Sequence, residues 1–184
     1  MSGDISQGLT GVVFCGGAGV RLRPLTYYVQ KTMIPIGTNE KPLLEYIVRL
    51  LRHHGITEQL FLVSYKARQI VNYFGDGSRF GVRIRYLADP PGVKSTGAAL
   101  VNAFKRGLIG SGQTLLIYYG DILSTLDLGS MIGFHREKGA VATLALSSGF
   151  PIPVGVAQVD DEGRVSGFAE KPVLERLVGI GVLA

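Results

Sequence analysis

The sequence predicts an α/β fold, a doubly wound and mainly parallel sheet with helices on both faces. Three observations predict it. Short apolar strands alternate with helical segments along the chain, the pattern of βαβ units. Strand 115–119 is continuously apolar, and strands 9–15 (Val12, Val13, Phe14) and 60–65 are largely apolar, as strands covered on both faces are. Three motifs fall just past predicted strand ends, on the carboxyl side where such sheets bind ligands: residues 16–21, 119–121 and 168–172.

Each element has a local reason. Strand 9–15 runs into Gly16-Gly17-Ala18-Gly19. Residues 42–54 read as a helix, with Pro42 at the start, Leu43, Leu44, Ile47, Leu50 and Leu51 on one face, and Gly55 as the stop. Residues 67–74 form a short helix ended by Gly75-Asp76-Gly77. Residues 82–87 alternate Val82, Ile84 and Tyr86 with Arg83 and Arg85, a half-buried strand with a solvated arginine face. Thr96 is expected to cap a helix reaching about Arg106, and 128–138 is helical. Strands follow at 140–146, 155–159, 164–168 and 178–183. The organisation is a short tail, 1–8, and one domain, 9–184.

Composition excludes several classes. Apolar residues make up 46% and charged residues 18% of 184, which argues against disorder. Glycine, at 26 residues, is about twice the usual ~7% and has no period, which suggests tight turns and backbone-lined binding loops. A lone Cys15 excludes an intrachain disulfide and a cysteine-rich zinc site. No basic residue precedes Arg21, so a signal-peptide n-region is missing. The longest uncharged run, 139–159, holds Pro151, Pro153 and Gln158, which argues against a membrane span. A soluble cytoplasmic protein is expected. The net charge of +5 suits anionic partners without choosing among them.

The motifs narrow the choice. Three glycines in 16–19 let the backbone approach a ligand and turn N–H groups towards phosphate oxygens, with Arg21 and Arg23 adding charge. The loop is neither a Walker loop nor a dinucleotide fingerprint, because Gly-Lys-Ser/Thr is missing and Leu22 stands where G-x-G-x-x-G needs glycine. Lys31, Gly120-Asp121 (a hard-metal carboxylate after an apolar strand) and Glu170-Lys171-Pro172 are each weak signals alone.

In order and spacing, G-G-x-G-x-R-L-x-P-L-T, K-x-x-x-P, G-D and F-x-E-K-P resemble the sugar-phosphate nucleotidyltransferases, or NDP-sugar pyrophosphorylases, from Leu9 to the last residue. The flavour is that of the mannose-1-phosphate guanylyltransferase-like and glucose-1-phosphate thymidylyltransferase-like branches. The resemblance implies a Rossmann-like nucleotidyltransferase fold. It also implies an in-line attack of a sugar 1-phosphate on a nucleoside triphosphate, releasing pyrophosphate, with Mg²⁺ as cofactor. By position it implies that Cys15, Gly16, Gly17, Ala18 and Gly19 bind nucleotide with Thr96 and Gly97, and that Arg21 and Lys31 act at the phosphates. Asp121 would hold the metal, and Gly155, Glu170 and Lys171 the sugar phosphate.

The chain departs from that pattern at Val20 (usually Thr or Ser), Gln30 (usually Pro), Ser95 (usually Gly) and Val154 (often Tyr). The stretch 177–181 lacks the usual Asn and Tyr, and a second metal-binding Asp would fall beyond Ala184. Either the domain is cut short at its C-terminus or the metal site has one carboxylate; a shortened domain would leave an apolar edge near 178–183, and homo-oligomer formation stays open. Two other readings compete with the enzyme: a degenerate module that binds nucleotide or NDP-sugar and regulates a partner, and nucleic-acid binding through Arg79, Arg83 and Arg85. The second of these is disfavoured, because those arginines read as one strand face and its approach.

Overall fold

The computed structural model describes residues 8–88 and 95–184, so the predicted tail lies outside the described residues except for Gly8. In chain order the elements are β1 (Leu9–Phe14), β2 (Pro35–Ile36), β3 (Lys41–Pro42), α1 (Leu43–His53), β4 (Glu58–Val63), α2 (Ala67–Phe74), β5 (Arg83–Ala88) and α3 (Thr96–Lys105). They continue with β6 (Thr114–Tyr119), α4 (Leu128–Lys138), β7 (Leu144–Ser147), β8 (Phe150–Pro151), β9 (Val156–Val159), β10 (Val165–Ala169), β11 (Val173–Leu174) and β12 (Val178–Leu183). Two compact units result, residues 1–143 with 181–184, and residues 144–180.

In the first unit the strands lie in the order β5-β4-β1-β6-β12. The β4–β5, β1–β4 and β1–β6 pairs are parallel, and the last residues of β12 run antiparallel to β6, with Val182 opposite Tyr118. Helices cover both faces. A side chain at Gly11 would point at Leu51 of α1, while its neighbour Val12, facing the other way, packs with Ala99 and Ala103 of α3. Val12, Leu60 and Leu62 are fully buried, which is why these strands are apolar without alternation.

Local chemistry sets the ends. α1 stops where Gly55 takes φ 77. Its Glu45 is buried and accepts hydrogen bonds from Tyr73 (2.6 Å) and Arg49 (2.8 Å), with Lys41 at 3.2 Å. Two expectations are corrected. Ser95, not Thr96, caps α3, because the Ser95 hydroxyl sits in extended backbone and accepts from Ala98 N at 3.2 Å. The strand expected at 140–146 begins only at Leu144, since Val141 is fully exposed and Thr143 instead exchanges backbone hydrogen bonds with Ala184. The arginine face is not simply solvated either. Arg85 donates to Leu108 O, and Arg79 donates to Tyr73 O and lies over Phe80.

The second unit is built from two antiparallel ladders, β8–β11 and β9–β10, the latter irregular between Val165 and Gly167. No described side chain of this unit is fully buried. Among the described residues no helix is long and apolar enough to cross a membrane.

Candidate functional site

The site forms where β1 and β6 end side by side. Phe14 and Tyr119 are register partners, and Gly120 N donates to Phe14 O at 3.0 Å, so the chain leaves both strands at the same carboxyl edge. Gly120 is needed there. A Cβ would lie 2.7 Å from Phe14 O and 3.3 Å from Cys15 Sγ. The next residue, Asp121, turns out to meet Lys31, whose Nζ donates to Asp121 Oδ2 at 2.5 Å across ninety positions of sequence.

The glycine loop wraps the stem of Lys31. A Cβ at Gly17 would lie 3.2 Å from Lys31 Cε, and one at Gly19 would lie 2.8 Å from Thr26 Cγ2 and 3.0 Å from Lys31 Cβ. Gly19 also takes φ 60, which a side chain rarely adopts. Thr26 Oγ1 donates to Gly19 O at 2.9 Å, and Tyr65 OH holds Thr26 O at 2.7 Å. Arg21 follows in a short 3-10 turn, Val20–Leu22, exposed and with no hydrogen-bond or ion-pair partner among the described residues.

Arg21, Lys31 and Asp121 line one cavity of about 720 Å³, together with Gly19 and the apolar Val20, Leu25, Ile34 and Leu43. Two cations and one carboxylate leave a positive excess beside a backbone loop, an arrangement suited to a polyanion. Asp121 supplies one hard oxygen donor, and only Oδ2 of its carboxylate is engaged by Lys31. No group of three or more His, Cys, Asp or Glu residues able to hold a metal occurs among the described residues. A single carboxylate nevertheless fits Mg²⁺, which binds through one or two carboxylates plus substrate phosphates.

Other predicted site residues are placed as follows. Cys15 immediately precedes the loop and does not line the cavity. It is fully buried, its N donates to Leu62 O and its carbonyl accepts from Gln30 Nε2. Burial, with the Asp121 charge, pushes its thiol far above the ordinary range, so it is no nucleophile. Gly16 accepts from Tyr65 N, and Gly17 O lies 3.5 Å from Gln30 Nε2. Ala18 continues the loop between Gly17 and Gly19. Thr96 and Gly97 form the exposed first turn of α3 and do not line the cavity. In the second unit a Cβ at Gly155 would collide with the Phe168 ring and lie 3.1 Å from Glu170 Oε2, so Gly155 and Glu170 are neighbours. Lys171 follows with φ 45. Gln30, Thr26 and Tyr65 were missed as supports of the loop. A buried polar group in an aperiodic segment leaves no periodic signal.

The model of the nucleotidyl transferase family matches residues 10–182. The chain belongs to that family. Among its relatives, UTP–glucose-1-phosphate uridylyltransferase of Synechocystis sp. is 37% identical over 89% of this chain and 44% of its own length. Mannose-1-phosphate guanylyltransferase of Mycobacterium tuberculosis is 36% identical over 87% of this chain and 43% of its own. The chain thus spans less than half the length of these nucleotidyl transferases. A crystal structure described as that of a glucose-1-phosphate thymidylyltransferase from Bacillus anthracis matches with a TM-score of 0.73 at 21% identity, over 95% of this chain and 70% of that one. At that identity it shows a shared fold.

Proposed function

We propose that this chain carries the nucleotidyl transfer of its family, from a nucleoside triphosphate to a hexose 1-phosphate, yielding an NDP-sugar and pyrophosphate. One observation carries the reading: Arg21, without a partner among the described residues, and the Lys31–Asp121 pair share one cavity beside a glycine loop. The bond that forms joins a sugar-phosphate oxygen to the α-phosphorus. The bond that breaks joins that phosphorus to the bridging oxygen, and pyrophosphate takes the electron pair. Both reactants are anions, so the protein has to position them and offset their charge.

Each residue has a part in that task. The N–H groups of 16–19 and the Arg21 guanidinium hold the triphosphate. Lys31 presents its ammonium to the transferring phosphoryl group. Asp121 would hold Mg²⁺, which would supply charge neutralisation at the phosphates. Thr96 and Gly97 lie outside the cavity lining and are assigned to the nucleotide on the family pattern alone. Glu170 and Gly155 take sugar hydroxyls, and Lys171 the sugar phosphate. The proximity of Gly155 and Glu170 supports their assignment to one ligand. A cytoplasmic setting is in keeping with phosphorylated small-molecule substrates and a buried, reduced Cys15.

Pyrophosphate release from full-length protein, measured over UTP, GTP, dTTP and CTP against glucose and mannose 1-phosphate with Mg²⁺, tests the proposal. Turnover with at least one pair is expected. Absence of turnover with every pair overturns it, and nucleotide binding without turnover would favour the regulatory-module reading instead.

A further inference from the structure

Gln30 stands where the family usually carries proline, and the structure shows what the change provides. Its side chain is fully buried. Nε2 donates to Cys15 O at 2.6 Å and reaches Gly17 O at 3.5 Å. Oε1 accepts from Thr32 N at 2.5 Å and from Thr32 Oγ1 at 2.6 Å. The amide orientation is fixed by its partners, since carbonyls can only accept and Thr32 N can only donate. The backbone N–H that proline would lack donates to Gln69 Oε1 at 2.7 Å, and Gln69 Nε2 donates to Tyr28 O at 2.7 Å. One buried amide therefore ties the glycine loop to the turn that carries Lys31, on both sides of that lysine, while α2 fixes the approach from outside.

We propose that Gln30 is the positioning residue for Lys31: its side-chain amide sets the spacing between the loop at Cys15–Gly17 and the Lys31 ammonium, and so aims that ammonium at Asp121 and the phosphates. The inference rests on the function proposed above. The amide lies outside the cavity lining and acts through Lys31 and the loop. Gln30→Met keeps the volume and loses both hydrogen-bonding ends. Gln30→Glu keeps the acceptor end and turns a carboxylate towards Cys15 O.

Two readouts test it. The first is competitive amine acetylation followed by mass spectrometry, with Lys31 compared against exposed Lys105 in the same protein. Lys31 is expected to be protected in the parent and to label several-fold faster in both variants. The second is steady-state kinetics. In Gln30→Met, kcat is expected to fall by roughly 10- to 100-fold with KM for the triphosphate changed much less, since a misplacement of about 1 Å costs on that order. The same substitution is expected to add little in a Lys31→Ala background. Unchanged Lys31 labelling in a variant that melts cooperatively overturns the inference, as does a kcat loss fully additive with Lys31→Ala. If Gln30→Met fails to melt cooperatively, Gln30→Glu carries both readouts. A parent without turnover would refute the proposed reaction, and the labelling ratio would still decide the role of Gln30.

Discussion

At Gly19 a methyl group would meet Thr26 Cγ2 at 2.8 Å and Lys31 Cβ at 3.0 Å, on a backbone at φ 60. Gly19→Ala therefore combines a left-handed strain of about 1–2 kcal/mol with displacement of Lys31. Thermal melting should register the first effect and pyrophosphate release the second, whereas unaltered melting and turnover would contradict the packing described here. Asp121→Asn keeps the shape and removes the charge. Turnover should fall by roughly 10²-fold or more, while triphosphate binding measured without Mg²⁺ changes little, because the amide no longer serves as a hard anionic donor. Equal rates in variant and parent would remove Asp121 from the mechanism. The charged members of this site were legible in the sequence because Arg21, Lys31 and Asp121 are sparse, polar and follow strand ends. The Lys31–Asp121 contact itself was not, since it joins residues ninety positions apart through the register of β1 with β6.

Elements are fixed by caps and buried pairs that periodicity does not report. α3 is capped by the Ser95 hydroxyl, so Ser95→Ala should cost about 1 kcal/mol in denaturant melting and Thr96→Ala much less. The reverse order would restore Thr96 as the cap. Serine and threonine are both good caps, and only the backbone angle at Ser95 separates them. On α1, burial pushes the Glu45 carboxyl up, but hydrogen bonds from Tyr73, Arg49 and Lys41 outweigh it and hold the group below its ordinary value of 4.5. A depressed carboxyl stabilises the fold above that ordinary value and loses the contribution as pH falls through the folded one. Glu45→Gln is accordingly expected to cost roughly 1–3 kcal/mol at neutral pH, with the gap to the parent closing under acid conditions. A gap that persists unchanged at low pH would contradict the ionised network. The helical spacing of 42–54 predicted α1 well, but that spacing carries no sign of the Glu45 network, because its partner Tyr73 lies on another helix.

Across the molecule, burial is uneven. The sheet strands of the first unit hold fully buried side chains such as Val12, Leu60 and Leu116, while the second unit holds none among its described residues. Amide hydrogen exchange should therefore be slowest in β1, β4 and β6 and fast in β9 and β10. Equal protection of both sets would contradict that division. The alternation of strands and helices made the doubly wound sheet readable in advance, because strands buried on both faces leave long apolar runs. The second unit, whose residues are mostly exposed, gave only short and ambiguous alternations, and its division from the rest was not visible. The proposed reaction requires the cavity lined by Arg21, Lys31 and Asp121 to seat a triphosphate. A crystal structure of the full-length protein with Mg²⁺ and a non-hydrolysable nucleoside triphosphate tests that most directly. Phosphate oxygens should lie on the backbone of residues 16–19, within reach of Arg21 and Lys31, with the ion on Asp121. A triphosphate seated away from these residues would contradict the account.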